Sequence, residues 1–207
     1  MRVIAGSARG RTLKAPASQA VRPTGDKVKG ALFSLLEALA YKRGFEREVD
    51  EDGRERFAAA QAWPRVLDLY AGSGALGIEA LSRGAERAEF VESDPRARAV
   101  IEANLRSTGL ADRAVVHALP AERAVSTLAG SYDLILADPP YGDEGAARVL
   151  ASLAESARVG DLSVLVWEHR ATDEPPARLG RLRLEHTRRH GIAALSLYTG
   201  NPKPAGT

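Results

Sequence analysis

From Pro64 onward, short apolar runs alternate with amphipathic stretches, and few folds accept that rhythm. Strands fit Val66 to Tyr70, Ala88 to Glu92, Ala114 to His117, Tyr132 to Ala137 and Leu162 to Glu168. Helices fit between them, at Ala75 to Arg83, Pro95 to Ser107, Pro120 to Leu128 and Glu144 to Ala157. Strands so short and apolar are buried on both faces, and parallel neighbours require a crossover each time. The pattern predicts an α/β fold, a doubly wound, mostly parallel, seven-stranded Rossmann-like sheet. The last two strands, about Arg181 to His190 and Ala193 to Thr199, meet at Gly191, so the sheet should end in an antiparallel hairpin.

The fourth of these strands runs straight into Asp138-Pro139-Pro140-Tyr141. Proline cannot continue a central strand, so the backbone opens there, at the carboxyl edge where open α/β sheets bind ligands. A carboxylate, a rigid carbonyl and an aromatic ring at one point suit a planar amine. Asp138 and the Pro139 carbonyl can accept its two N–H bonds while Tyr141 stacks on the attached ring. By itself the stretch has a lesser alternative, a strand-ending turn with a buried tyrosine.

The first strand is followed by Asp68-Leu69-Tyr70-Ala71-Gly72-Ser73-Gly74-Ala75-Leu76-Gly77, a glycine loop that opens a helix. Such a turn lets a ligand approach the backbone closely. Glu92 ends the second strand, where an acid can take both hydroxyls of an adenosine ribose. Alone, this loop leaves NAD and S-adenosylmethionine open. Two features tip the balance, and the first is Asp68, since an acid there suits the ammonium of an amino-acid cofactor better than a pyrophosphate. Hydride transfer has no need of Asp-Pro-Pro-Tyr. S-adenosylmethionine with an amine acceptor explains both motifs.

Residues 1–30 carry Arg2, Arg9, Arg11, Lys14, Arg22, Lys27 and Lys29 against Asp26 alone. That is +6 in a chain of net charge +2, which leaves −4 for the remainder. The asymmetry points to a polyanion as partner of this segment. Arg2 to Ala5 and Arg11 to Lys14 read as a basic hairpin, and Pro16 to Pro23 as a linker. We therefore divide the chain into residues 1–23, an appendage, and residues 24–207, a catalytic domain. Thr24 is a candidate N-cap for a helix carrying Val28, Ala31, Leu32, Leu35, Leu36 and Leu39 on one face. The charged stretch 41–62 reads as a solvated loop or helical extension. With no cysteine, no metal-ligand spacing, no long apolar run and no signal peptide, the expectation is a cytoplasmic monomer without metal or membrane contact.

Four segments, Arg22-Pro23-Thr24, Asp68 to Gly84 (DLYAGSGALGIEALSRG), Phe90 to Asp94 and Asp138 to Tyr141, resemble in order the RsmD-type bacterial methyltransferases. The resemblance runs from Arg2 to the terminal hairpin. It implies a class I methyltransferase that moves a methyl group from S-adenosylmethionine to the 2-amino group of a guanine in 16S rRNA, guanine 966 in the family. Its partner would be 16S rRNA or a small-subunit assembly intermediate. By the same resemblance Asp68, Gly72, Ser73 and Gly74 form the cofactor loop, Glu92 binds the ribose and Ser93 lies beside the adenine. Arg22 and Thr24 sit near the methionine end. Asp138, Pro139 and Tyr141 hold the target base, and Arg2, Arg9, Arg11 and Lys14 meet RNA. Gly25 replaces the family's usual threonine, and the third strand lacks the acid that often contacts the adenine amine. Two other classes share features with the chain. One is a DNA adenine-N6 methyltransferase, which has Asp-Pro-Pro-Tyr but usually a target-recognition insert. The other is a non-catalytic RNA-binding protein on a methyltransferase scaffold.

Overall fold

A computed structural model describes residues 1–16, 25–49, 51, 53 and 55–200. Arg22 and Thr24 lie outside the described residues. In chain order the elements are α1 (Asp26–Lys42), β1 (Glu48–Val49), β2 (Glu55–Arg56), α2 (Ala58–Ala62), β3 (Arg65–Leu69) and α3 (Ala75–Ser82). Then follow β4 (Arg87–Val91), α4 (Pro95–Thr108), β5 (Ala114–His117), α5 (Ala121–Thr127), β6 (Tyr132–Ala137) and α6 (Ala146–Glu155). The chain closes with β7 (Val159–Arg170), β8 (Arg178–Leu179), β9 (Leu182–His190) and β10 (Ala193–Thr199).

Among the described residues the main sheet runs β5-β4-β3-β6-β7-β10-β9-β8. It has one strand more than expected, because the two-residue β8 adds itself to the hairpin edge. β3, β4, β5, β6 and β7 are parallel, and β10 turns antiparallel between β7 and β9. The chain moves outward from β3 through β4 to β5, then returns to place β6 on the other side of β3. That reversal opens a crevice beyond the carboxyl ends of β3 and β6. Each sheet face carries its own apolar cluster. Leu32, Phe33, Leu36, Ile78, Phe90, Ile101 and Leu105 belong to one, and Leu67, Leu69, Ile135, Leu150, Leu153 and Tyr198 to the other. α4 starts as its sequence dictates, with the Asp94 carboxylate accepting from Arg96 N at 2.9 Å ahead of Pro95, and stops at the left-handed Gly109.

The charged stretch 41–62 does not behave uniformly. α1 runs on to Lys42, and β1 and β2 pair as an exposed hairpin. Ala58, Ala59 and Ala60, however, are buried in the first cluster beside Trp63, and Phe57 is buried too, so the end of this stretch is core.

The N-terminal segment closes on itself through a single antiparallel bridge, Arg2 to Thr12, and lies tight against α3 and α4. Val3, Ala8 and Leu13 are buried with the main core. The Glu79 carboxylate on α3 accepts from Ile4 N (2.8 Å) and Ala5 N (3.0 Å). It also pairs with Lys29 Nζ (3.3 Å) and Arg83 Nε (2.9 Å), both buried. Ser82 Oγ donates to Ala5 O and accepts from Ala8 N. At Gly6, φ is +80° and a Cβ would stand 1.8 Å from the Ser82 carbonyl, so only glycine permits this contact. The cations of the segment face outward: Arg2, Arg9, Arg11 and Lys14 are all exposed.

Candidate active site

The turn after β3 is sharply wound. Tyr70, Gly72 and Gly74 all have positive φ (65°, 55° and 75°), and Tyr70 is the non-glycine among them. A bulky residue held left-handed marks a place where the fold imposes the conformation. Glu92, at the end of β4, fixes this turn. One carboxylate oxygen accepts from Gly72 N and the other from Asp94 N, both at 2.8 Å. Ser93 beside it is exposed.

Asp68 is 2% exposed and accepts from Gly77 N at 2.8 Å, stapling the start of α3 to β3. Gly77 is small for the same packing reason: a Cβ there would meet the Phe90 ring at 2.4 Å. Burial pushes the Asp68 carboxyl well above its ordinary 3.8; the Gly77 N–H opposes the rise, and the nearby charges of Asp138 and Glu92 add to it. Asp138 and Glu92 are thus near enough to act on the Asp68 carboxyl. A carboxyl raised in this way is relieved by a cation nearby, which is the charge S-adenosylmethionine carries on its sulfonium and ammonium. The site residues fit that cofactor.

Asp138 follows Ala137, which is flanked by Leu69 of β3 and Trp167 of β7. The acid is therefore one strand away from the glycine turn. Asp138 and Tyr141 are half-buried, and the Tyr141 ring lies under the Arg170 guanidinium, 5.4 Å from the ring centroid. Two polar groups around this edge are buried with no hydrogen-bond partner among the described residues, the Tyr70 hydroxyl and the Trp167 indole N–H. His117 is satisfied within the sheet, 2.6 Å from a Glu89 oxygen that also accepts from Tyr132.

Asn104 is absent from the residues singled out in the sequence. It is 1% exposed on α4 and donates to both Ser73 O (2.9 Å) and Lys14 O (3.0 Å), while accepting from Lys14 N (2.8 Å). It joins the basic segment to the glycine turn. The signal was present, since Asn104 shares the apolar stripe of Ala97, Ile101 and Leu105.

Among the described residues no helix is long and apolar enough to cross a membrane, and no group of three or more His, Cys, Asp or Glu could hold a metal ion.

A family model described as conserved hypothetical protein 95 matches residues 1–199. The chain is 35% identical to the Bacillus subtilis (strain 168) protein YlbH, provisionally named an rRNA methyltransferase, over 96% of this chain and 98% of the relative. It is 28% identical to the ribosomal RNA small subunit methyltransferase D of Escherichia coli (strain K12), over 96% and 89% of the two. Among solved structures it is similar to yhhF of Escherichia coli, provisionally named a methyltransferase. There the TM-score is 0.73 at 26% identity, covering 97% of this chain and 99% of the other.

Proposed function

The chain belongs to the family described as conserved hypothetical protein 95, the RsmD-type methyltransferases, and from that premise we propose its reaction. At the level its relatives carry, it is an S-adenosylmethionine-dependent methyltransferase of small-subunit rRNA. The finer reading is transfer to the exocyclic 2-amino group of a guanine in 16S rRNA, guanine 966 by family resemblance.

One observation carries this reading: the Asp138 carboxylate and the Pro139 carbonyl leave β6 one strand from the glycine turn that Glu92 holds. When bound, S-adenosylmethionine supplies a methyl group already activated on sulfur. The protein has only to align an amine with it, and alignment is worth several kcal/mol of barrier. A guanine amine is a poor nucleophile because its lone pair is delocalised into the ring. Accepting both N–H groups, at Asp138 and at the Pro139 carbonyl, favours the more tetrahedral nitrogen of the transition state. Tyr141 stacks on a base drawn out of its RNA neighbours. Glu92 holds the ribose, and Asp68 and the glycine turn shape the methionine end. α6 begins at Ala146, so no recognition insert of the DNA-methylating kind follows Tyr141. Mass mapping of 16S rRNA from cells with and without the gene tests the target. A guanine methylated on N2 should disappear in the deletion strain, and an unchanged methylguanine map overturns the assignment.

Calorimetry tests the cofactor. Removing the Glu92 carboxylate in Glu92→Ala takes away charge-assisted ribose contacts worth roughly 1.5–3 kcal/mol. It also frees Gly72 N and Asp94 N, so affinity should fall at least tenfold. A cation in the crevice favours the ionised form of Asp68 and draws its raised pKa down. Binding then releases part of a proton. Affinity should rise with pH through the interval between the lowered and the raised values, and level off above it. Titrations in buffers of different ionisation enthalpy read this proton directly. Tight binding of NADH with none of S-adenosylmethionine would overturn the cofactor.

A further inference from the structure

The carboxyl edge of the sheet continues past the target-base site across β7, β10 and β9, and there it is basic. β9 runs in the same direction as β7, since each is antiparallel to β10. Their ends lie at one level: Ala193 is opposite both Arg170 and His190, and Leu195 is opposite both Glu168 and Arg188. Directly paired residues share a sheet face, as do residues two apart. Arg170, Arg188 and His190 therefore occupy one face of this edge, across two strand spacings or about 10 Å, with the buried Glu168 on the same face. Arg170 and Arg188 are exposed. The Arg170 guanidinium lies over the Tyr141 ring, 5.4 Å from its centroid. Arg189, on the opposite face, donates to the Ala171 carbonyl at 3.1 Å and so braces the end of β7. Ile192, 58% exposed at the hairpin tip, adds an apolar surface beside the cations.

We propose that Arg170 and Arg188 form a second RNA contact, a phosphate track leading from the target-base site along the C-terminal hairpin. The inference rests on the reading above, in which Asp138 and Tyr141 hold that base. Arg170 links the two, with one face of its guanidinium over Tyr141 and its N–H groups toward the backbone of the same RNA. The N-terminal cations and this track would then grip the RNA from two sides of the crevice. Arg183 is an internal control. It is exposed and on the same strand, but five residues from Arg188, about 17 Å along β9. That exceeds the distance over which salt lets surface charges act, about 8 Å at physiological ionic strength.

The test uses the full chain and 16S rRNA purified from cells lacking the gene, with binding measured across a salt series. Arg170→Ala/Arg188→Ala should bind RNA about tenfold more weakly, with a salt slope shallower by about 1.4, or about 0.7 for each phosphate contact on a single strand. S-adenosylmethionine affinity should not change, and Arg183→Ala should match the wild type. The proposal is overturned if the double variant keeps the wild-type affinity and slope, or if Arg183→Ala loses as much. A loss of RNA binding in the double variant together with full methylation by Asp138→Ala would keep the track and sink the active-site reading. An inactive Asp138→Ala beside a double variant that binds normally would do the reverse.

Discussion

Asp138→Ala should lose methyl transfer by at least 100- to 1000-fold, the order seen when one preorganised transition-state contact is removed, while fold and S-adenosylmethionine affinity stay near wild type. The lost hydrogen bond tightens as the amine nitrogen becomes tetrahedral, so the deficit belongs to the rate constant more than to binding. Tyr141→Phe keeps the ring and should be mild. Tyr141→Ala removes stacking worth roughly 1–3 kcal/mol and should be severe. A purely structural Asp138 predicts another pattern, in which activity falls only in step with the melting temperature. Single-turnover methylation beside thermal denaturation separates the two, and a stable Asp138→Ala protein with near-normal turnover would sink the mechanism.

Glu79→Ala should produce the largest loss of stability. The substitution strands the fully buried Lys29 ammonium, leaves Arg83 without its partner on α3, and removes the acceptor for Ile4 N and Ala5 N. Breaking one side of a buried pair costs about 3–5 kcal/mol, a large part of the 5–15 kcal/mol by which a domain is stable. Burial already lowers the Lys29 pKa from 10.5, with Glu79 acting against the fall. Without Glu79 it should fall further. A native state that binds fewer protons than the unfolded chain gains stability as pH rises, from the lowered value toward 10.5. The deficit of Glu79→Ala should therefore shrink in alkaline buffer. Denaturant unfolding at several pH values, with limited proteolysis of the N-terminal segment, checks both points. A change within about 0.5 kcal/mol at neutral pH would show that Glu79 does not hold the segment.

What the sequence made legible and what it hid divide along physical lines. The parallel strands were readable because burial on both faces leaves near-continuous apolar runs; β5 and β6 fall within the bounds expected, Ala114–His117 and Tyr132–Ala137. β8 escaped because two residues, Arg178–Leu179, make no pattern. The end of the 41–62 stretch escaped because alanines among charges look solvated until α1 and α2 pack together. In the site, the glycine turn, Glu92 and Asp138 were legible as motifs at strand ends. Asp68 was legible as an acid in the crevice, but its hydrogen bond to Gly77 N depends on the path of α3. Glu79 and Asn104 were missed for one reason. Both are polar residues on helix faces that local periodicity assigns to packing, and their partners lie 75 and 90 residues away in sequence.

Asn104 bears on whether cofactor and RNA are linked. A single amide group holds Lys14 on one side and the Ser73 carbonyl on the other, so the basic segment and the glycine turn share one anchor. If two ligands each order part of such an assembly, thermodynamic reciprocity makes any coupling between them equal in both directions. Were RNA to bind the basic segment, any factor by which it changed cofactor affinity would be the factor by which the cofactor changed RNA affinity.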